Sequence, residues 1–247
     1  MGRPRKVRID ARLVELGLEA SRSRARARIL AGEVRLGTER IDKPGTLIPA
    51  EAIPALSRRA PYVSRGGEKL AGALREFELD PAGLRCADVG ASTGGFTDCL
   101  LQAGAARVLA LDVGYGQLAL GLRRDPRVEV AERTNVRHYQ RPPGAAPFDL
   151  VVADLSFISL RLVLPRLFEL VRPGGKLLVL VKPQFELERA AVGSGGVVRA
   201  PEERDRAVLQ VRDAAERLGF GVEGEAESVL AGPKGNRERF LLLARPA

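Results

Sequence analysis

The chain has 247 residues, a hydrophobic content of 45% and a formal net charge of +9. This length suits one large domain, or a medium domain with a small one, and this hydrophobic content supports a packed core. No apolar run is long enough to span a bilayer and the first residues lack an apolar signal segment, so we expect a cytoplasmic protein without a membrane partner.

Positive charge is concentrated near the N-terminus. Residues 1–60 contain 14 Lys or Arg and 7 Asp or Glu, a net of +7, whereas the remaining residues carry +2. A small basic segment before a nearly neutral body predicts an anionic polymer as partner. Nucleic acid is favoured over a membrane surface, because the arginine-rich helix predicted here lacks the broad apolar face of an interfacial helix.

The first predicted elements are two short helices followed by short strands. An amphipathic helix is predicted over residues 8–18 and ends at Gly17, and a second is predicted over residues 21–32, from a Ser21 cap to Gly32. Four arginines lie within seven residues of the second helix: Arg22, Arg24, Arg26 and Arg28. Because the helix has no acidic residue among them, phosphate contact is favoured over a solvated helix face.

This N-terminal order resembles the small αL-type RNA-binding motif over roughly residues 5–55. The matching residues include Arg8, Asp10, Leu13, Gly17, Ser21, Arg22, Ile29, Gly32, Val34 and Lys43-Pro44-Gly45. The resemblance implies an α+β RNA-binding domain over residues 1–57, followed by a linker over 58–65. RNA contacts are expected from six basic residues: Arg5, Lys6, Arg8, Arg22, Arg26 and Arg65.

From residue 66 onward the pattern predicts alternating strands and helices. Strands are predicted at 84–89, 107–112, 127–131, 148–153, 176–182, 221–229 and 239–244, and helices at 67–77, 95–103, 117–123, 161–171 and 201–218. Alternation with apolar strands is typical of a parallel sheet covered on both faces, and the short turn between the last two strands requires antiparallel pairing. We therefore predict an α/β domain over 66–247 with a seven-stranded, mostly parallel, Rossmann-like sheet, as class I S-adenosylmethionine-dependent methyltransferases have.

The glycine-rich turn at residues 90–95 permits two interpretations. Its G-x-S-x-G pattern fits the nucleophile elbow of α/β-hydrolases, with His138 and either Asp112 or Asp154 as the partners of Ser92. Hydrolases place several strands before the elbow, however, and here the turn follows the first strand of the sheet. Glycines that admit a close ligand, and Asp112 at the end of the second strand, favour a nucleotide-like cofactor whose ribose diol binds Asp112.

Four polar residues are candidates for catalysis. Asp154 and Lys182 follow the fourth and fifth strands, at the carboxyl edge where open α/β sheets bind ligands. Lys69 and Glu238 come from the flanks of the domain, and each alone would pass for a surface charge. Only six of the 40 basic residues are lysines, so a retained lysine hints that an amine is needed rather than charge alone.

Seven segments in chain order resemble the TlyA family, also called the hemolysin A family. They read YVSRGGEKL, DVGASTGGFTD, ALDVGYGQL, ERTNVR, DLSFISL, VKPQFE and GGVVR, and they extend over essentially the whole domain. The resemblance implies an S-adenosylmethionine-dependent methyltransferase with an FtsJ-like catalytic domain. It further implies that the substrate is a ribose 2′-hydroxyl, on a cytidine, in ribosomal RNA or ribosomal subunits, with no obligate protein partner.

The same resemblance assigns residues to roles. Lys69, Asp154, Lys182 and Glu238 match the Lys-Asp-Lys-Glu tetrad of FtsJ-like enzymes, with Lys182 at the nucleophilic hydroxyl and Asp154 holding it. Cofactor contacts are expected from Gly90, Ser92, Thr93, Gly94, Gly95, Phe96, Asp112, Val113, Asn135 and Asp154. No metal site is expected, since no zinc spacing exists and the two cysteines, Cys86 and Cys99, are interpreted as buried free thiols.

The sequence also permits two alternative functions and two interpretations of one long segment. A non-catalytic RNA-binding factor with a vestigial cofactor fold is the first alternative, and a membrane-lytic protein, suggested by the older family name, is the second. The long glycine-rich segment over residues 186–205 is either a mobile cover for the substrate site or a disordered connector.

Overall fold

A computed structural model describes residues 5–30, 33–56, 61–232 and 234–247, except the side chain of Arg40. The chain divides into two compact units, Met1–Ala60 and Pro61–Ala247. The predicted helix end at Gly32 and the predicted linker residues 58–60 lie outside the described residues. Within the described ranges, no helix is both long and apolar enough to cross a membrane.

The first unit contains two helices and five short strands. Its elements are β1 (Lys6–Arg8), α1 (Ile9–Glu15), α2 (Arg22–Leu30), β2 (Val34–Leu36), β3 (Glu39–Ile41), β4 (Leu47–Pro49) and β5 (Ala55–Leu56). β1 pairs with β4, and β2 lies between β3 and β5, all antiparallel. Buried Ile9, Leu13 and Ile29 pack the two helices onto a small core, which leaves the polar side chains of α2 outside.

The second unit alternates strands and helices. Its strands are β6 (Arg85–Val89), β7 (Arg107–Leu111), β8 (Val128–Ala131), β9 (Phe148–Ala153), β10 (Val171–Val181), β11 (Gly221–Glu227) and β12 (Arg239–Ala244). Its α-helices are α3 (Arg65–Glu76), α4 (Gly95–Gln102), α5 (Leu120–Arg123), α6 (Leu164–Leu170), α7 (Pro183–Glu186) and α8 (Pro201–Arg217). Short 3₁₀ turns occur at Val136–His138, Leu160–Leu162 and Arg189–Ala191.

The strands of this unit form one seven-stranded sheet in the order β11-β12-β10-β9-β6-β7-β8. The five strands from β10 to β8 run parallel, and β12 pairs antiparallel with both β10 and β11. The predicted mostly parallel sheet with an antiparallel end is therefore confirmed. Buried apolar clusters cover both faces, and the strand order reverses between β6 and β9, which creates a crevice at the carboxyl ends of these strands.

Several predicted boundaries are wrong for identifiable reasons. The helix predicted at 117–123 forms only over α5, because Ala119, directly before it, has a non-helical ψ of 136°. The helix predicted at 161–171 begins as a 3₁₀ turn, and the regular helix starts at Leu164 with Pro165 in its first turn. The three-residue β1 and the four-residue α7 are too short to produce a hydrophobic period that sequence analysis can detect.

Candidate active site

A cavity of about 620 Å³ opens at the carboxyl edge of the seven-stranded sheet. It is lined by the turn after β6, the start of α3, the segments after β9 and β10, and the loop before β12. A second cavity of about 490 Å³ shares Gly90, Ser92 and Asp154 with the first and extends along the end of β7. Both cavities lie where the strand order reverses, the usual ligand position in open α/β sheets.

The turn after β6 depends on two glycines with positive φ. Gly90 has a φ of 89° and Gly94 a φ of 94°. A Cβ atom at Gly90 would lie 2.5 Å from the carbonyl oxygen of Asp154, and one at Gly94 would lie 2.3 Å from Leu122. The turn therefore packs tightly against the segment after β9 on one side and against α5 on the other.

The residues expected to bind a cofactor in this turn are not all placed alike. Ser92, Thr93 and Gly95 line the larger cavity. Phe96 also borders it, but its ring is buried in the core against Phe240 and could contribute only through its edge or backbone. Gly94 lines neither of these two cavities, and the turn needs it for conformation rather than for ligand contact.

Asp112 is positioned at the end of β7 by two backbone hydrogen bonds. The N–H of Ser92 donates to its Oδ2 at 2.8 Å, and the N–H of Gly114 donates to its Oδ1 at 2.6 Å. Each carboxylate oxygen retains acceptor capacity toward the smaller cavity, which Asp112, Val113 and Asn135 line together. Two free acceptors side by side suit the two hydroxyls of a ribose, so these residues fit a nucleoside-bearing cofactor.

Four charged residues at the larger cavity form two ion pairs. Lys182 Nζ lies 2.6 Å from Asp154 Oδ1 and donates a hydrogen bond to Ser156 Oγ at 2.9 Å. Lys69 Nζ lies 2.5 Å from Glu238 Oε2. The structure thus brings all four residues of the expected tetrad to one cavity, each lysine with its own carboxylate.

The two pairs differ in burial. The side chains of Lys69 and Glu238 are 7% and 1% exposed, whereas those of Lys182 and Asp154 are 11% and 22% exposed. A Cβ atom at Gly232 would lie 2.5 Å from Glu238 Oε1, so the backbone closes over that carboxylate. The Lys182–Asp154 pair is therefore the more accessible of the two to a substrate.

The loop over residues 193–198 is held beside the larger cavity by Asn236. This buried amide accepts a hydrogen bond from the N–H of Val198 at 2.9 Å and donates one to the carbonyl of Gly196 at 2.8 Å. Gly196 and Val192 line the cavity. The segment 186–205 is thus built into the wall of the site, and its opening as a cover stays a prediction.

The basic residues of the first unit that are expected to bind RNA are exposed, but some of them form ion pairs with carboxylates. Arg5, Lys6 and Arg26 are exposed, and Arg26 has no carboxylate partner among the described residues. The other three arginines of α2 pair with acids outside the helix, at Asp10, Glu19 and Glu33. As predicted, the helix has no acidic residue among its arginines, but these three find partners before or after it in sequence; their contact with phosphate stays a prediction.

Comparisons with known proteins agree with this geometry. The FtsJ-like methyltransferase family matches residues 62–245, and the S4 domain family matches residues 7–53. The 16S/23S rRNA (cytidine-2′-O)-methyltransferase TlyA of Mycobacterium tuberculosis is 50% identical over 242 residues, which cover 97% of this chain and 90% of that protein. This chain belongs to the TlyA family.

Two further relatives support the same membership. Hemolysin A of Brachyspira hyodysenteriae is 36% identical over 233 residues, covering 94% of this chain and 97% of that protein. A solved hemolysin-type structure from Streptococcus thermophilus superposes with a TM-score of 0.75 at 38% identity, covering 99% of this chain and 90% of that one. The resemblance to the TlyA family and the methyltransferase fold predicted from it are confirmed.

TlyA-family membership also decides the question raised by the glycine-rich turn. The hydrolase alternative is wrong, because the matched family is a methyltransferase family over the whole second unit. The geometry agrees: the Ser92 hydroxyl lies 3.3 Å from Oε1 of Gln117, and His138 lines neither of the two cavities.

Two polar residues of this TlyA-family site were missed by sequence reasoning. Ser156 accepts the hydrogen bond of Lys182, and its only signal is its position two residues after Asp154. Asp88 is fully buried at the end of β6, where its Oδ2 accepts hydrogen bonds from the backbone N–H and the hydroxyl of Thr97 at 2.8 and 2.7 Å. Its sequence signal is a carboxylate next to the last residue of an apolar strand, two positions before Gly90.

We expect Asp88→Asn to change how stability depends on pH. Burial raises the pKa of Asp88 from 3.8 to about 7, so the folded protein favours the neutral acid. Its stabilising contribution is complete below about pH 4 and is lost as the pH rises through about 7. Asparagine is neutral throughout and can still accept from Thr97, so urea titrations should show the variant gaining stability relative to the parent between about pH 4 and pH 8. Parallel pH profiles for the two proteins would contradict this.

We expect Asp112→Ala to weaken S-adenosylmethionine binding by about 10- to 100-fold. The reason is the loss of two acceptors for the ribose hydroxyls, worth roughly 1–3 kcal/mol for hydrogen bonds to a charged group. Isothermal titration calorimetry measures this directly. Asp125→Ala is the matched control, since Asp125 lies outside both cavities and contacts Arg127. Equal affinities for the two variants would remove Asp112 from the cofactor site.

Proposed function

We propose that this TlyA-family chain transfers a methyl group from S-adenosylmethionine to the 2′-hydroxyl of a cytidine in ribosomal RNA. The observation that carries the proposal is the accessible Lys182–Asp154 pair in the same cavity as the glycine turn. The name of the Mycobacterium tuberculosis relative supports the choice of cytidine and ribosomal RNA.

The cofactor would bridge the two cavities. Asp112 would hold the ribose, Val113 and Asn135 would border the base in the smaller cavity, and the Gly90–Phe96 turn would carry the amino-acid part into the larger one. When bound, the sulfonium supplies a methyl group that is already activated for transfer. The main task left to the protein is then to place the hydroxyl in line with that methyl and to manage its proton.

Lys182 is the residue we assign to the hydroxyl. An ammonium has three donors. Nζ donates one hydrogen bond to Ser156 and forms an ion pair with Asp154, whose Oδ1 accepts no hydrogen bond among the described residues, so donor capacity is left for the 2′-oxygen. This arrangement would direct a lone pair of the oxygen toward the methyl group. As an ammonium, Nζ would steer the oxygen by donating to it. To accept the hydroxyl proton Nζ must first be a neutral amine, which then becomes an ammonium whose positive charge Asp154 stabilises.

Lys69 and Glu238 would complete the tetrad from the closed side of the cavity. Their 2.5 Å pair is buried, so its charges are weakly screened by water and bear on the reacting atoms more strongly than a surface pair would. We assign Lys69 to contact with the substrate or with the departing proton, and Glu238 to holding Lys69 in place.

Substrate RNA would be recognised by both units. In the first unit, matched by the S4 domain family, exposed Arg5, Lys6 and Arg26 and the paired Arg8 and Arg22 would contact phosphates. In the second unit, exposed Arg65 borders the larger cavity and would contact the RNA near the target ribose. We propose an RNA-binding domain over residues 1–57, a linker over 58–65 and a methyltransferase domain over 66–247. Because ribosomal RNA is the proposed substrate, we also propose that the protein is cytoplasmic.

The test is methyl transfer followed by mapping. The purified full chain is incubated with tritiated S-adenosylmethionine and with unmodified small or large ribosomal subunits, and 2′-O-methyl sites are then mapped by mass spectrometry. We expect label on a cytidine ribose. RNA binding without label would identify a non-catalytic RNA-binding factor, and leakage of liposomes without label would identify a membrane-lytic protein.

A further inference from the structure

Among the described residues, the first unit buries two charged side chains, and both are carboxylates. Asp10 is 0% exposed and Glu19 is 7% exposed. Burying a carboxylate is unfavourable unless it is paired and hydrogen-bonded. In each case the compensation comes from two arginines, although the unit is basic and exposed positions for arginine are plentiful.

Asp10 has all the partners that a buried carboxylate can use. Arg8 binds it with a two-pronged contact, Nε to Oδ1 at 3.0 Å and Nη2 to Oδ2 at 2.9 Å. Arg22 Nη2 reaches Oδ2 at 3.1 Å, and the N–H of Ala11 donates to Oδ1 at 2.8 Å. Mainly because Arg8 hydrogen-bonds to it, the pKa of Asp10 is lowered to about 2, so the group stays ionised at any working pH.

The guanidinium groups of Arg8 and Arg22 are both bound to Asp10, yet both side chains remain partly exposed to solvent. Their side chains remain 46% and 58% exposed although the carboxylate between them is completely buried. Arg8 comes from β1 and Arg22 from the start of α2, so Asp10 joins two elements that present positive charge. Most N–H groups of both guanidinium groups are left free to bind an anion.

Glu19 is likewise paired with two arginines of α2, Arg24 and Arg28, although its Oε1 accepts no hydrogen bond among the described residues. It contacts Arg28 Nε through Oε1, and Arg24 Nε lies 3.5 Å from Oε2. Arg24 is 71% exposed and Arg28 36% exposed. Pairs of arginines gathered around a buried acid are therefore a recurring feature of this surface.

We propose that Asp10 is a positioning residue of the RNA-binding surface, which holds the guanidinium groups of Arg8 and Arg22 side by side for contact with RNA phosphates. An unrestrained arginine loses considerable rotamer freedom when it binds, and that loss is avoided when the side chain is already held. The inference rests on the proposed RNA-binding function of the first unit.

Asp10→Asn should change the affinity for RNA in the direction opposite to the one expected from net charge alone. Asp10→Asn removes a negative charge from an RNA-binding protein, which by general electrostatics should strengthen binding. If Asp10 positions the two arginines, the same change should weaken binding by roughly tenfold, because two long side chains must then be ordered by the RNA itself. The matched control is Asp42→Asn, which removes the same charge from an exposed position without an arginine partner among the described residues.

The experiment measures binding of the full chain to deproteinised ribosomal RNA between about 50 and 200 mM salt. We expect weaker binding for Asp10→Asn throughout this range, because the phosphate contacts are still made but the arginines must be ordered, and unchanged or tighter binding for Asp42→Asn. The change is then repeated in an Arg8→Gln/Arg22→Gln background, where it should cause no further loss. A purely structural role for Asp10 would produce the same loss in both backgrounds.

Two results would overturn the inference. They are wild-type or tighter binding by Asp10→Asn, and an equal loss in both backgrounds. If Asp10→Asn does not fold, Asp10→Glu replaces it: this variant keeps the charge but shifts the carboxylate, and should weaken binding only when Arg8 and Arg22 are present. Failure of the wild-type chain to bind ribosomal RNA would instead contradict the proposed function.

Discussion

Lys182→Arg is expected to reduce methyl transfer by at least about 100-fold, the usual effect of losing an acid–base or positioning group. Affinities for S-adenosylmethionine and for RNA should stay near those of the parent protein. The substitution preserves the positive charge, so a large loss would show that the amine itself is required. The assay is single-turnover transfer of labelled methyl to ribosomal subunits, with both ligands saturating.

The geometry around Lys182 explains why arginine should fail. Nζ is a compact donor 2.6 Å from Asp154 Oδ1 and 2.9 Å from Ser156 Oγ. A guanidinium is a planar fork that is larger than an ammonium, and its proton is effectively never lost. It could pair with Asp154, but it could not also occupy the point from which Nζ meets the 2′-oxygen.

Lys176→Arg is the matched control for this substitution. Lys176 lies in the same strand, β10, and has an equally short contact with a carboxylate, 2.5 Å to Glu223 Oε2. That pair is exposed, however, and lines neither cavity of the site. We expect unchanged transfer for Lys176→Arg. Near-parental transfer by Lys182→Arg would refute the role proposed for Lys182, while membership of the TlyA family would stand.

Residues at strand ends could be placed from sequence because topology determines their neighbours. Alternating strands and helices require a parallel sheet, and parallel strands bring their carboxyl ends to one edge. Asp112 and Lys182 end predicted strands and Asp154 follows one, and the structure places all three at the paired cavities on that edge. The positions of these three residues follow from the order and direction of the strands alone.

Pairs formed by residues far apart in sequence could not be derived in this way. Lys69 and Glu238 are 169 positions apart, and neither is at the end of a parallel strand, so only the family resemblance pointed to them. The ion pairs of the α2 arginines could not be derived either. Local reasoning found no acid within the helix, whereas Asp10 and Glu19 reach it from α1 and from the following turn. Side-chain partners of a helix are set by tertiary packing, which its own sequence does not contain.

The pairing of Lys69 with Glu238 leads to the largest expected effect on stability. Glu238→Gln should lower the free energy of unfolding of the second unit by about 3–5 kcal/mol, the range for removing one partner of a buried ion pair. The physical reason is that the side chain of Lys69, only 7% exposed, would lose its carboxylate partner in a largely buried site. Exposed ion pairs contribute at most about 1 kcal/mol, because water screens the charges and already solvates them.

Glu223→Gln is the matched control, because the Lys176–Glu223 pair has the same length as the Lys69–Glu238 pair but is exposed rather than buried. The Lys176–Glu223 and Lys69–Glu238 contacts are both 2.5 Å long, but the side chains of the first pair are 39% and 38% exposed and those of the second are 7% and 1% exposed. Amide hydrogen exchange in β9, the central strand of the seven-stranded sheet, measures the opening free energy of the second unit in the full chain. We expect Glu223→Gln to cost less than about 1 kcal/mol and Glu238→Gln several times more.

The double variant Lys69→Met/Glu238→Leu, which removes both charges, should recover most of the stability and none of the activity, because well-packed apolar residues often replace a buried pair without loss. Equal costs for the two single variants would mean that Lys69 is solvated through the open cavity, and the pair could then serve chemistry without stabilising the fold.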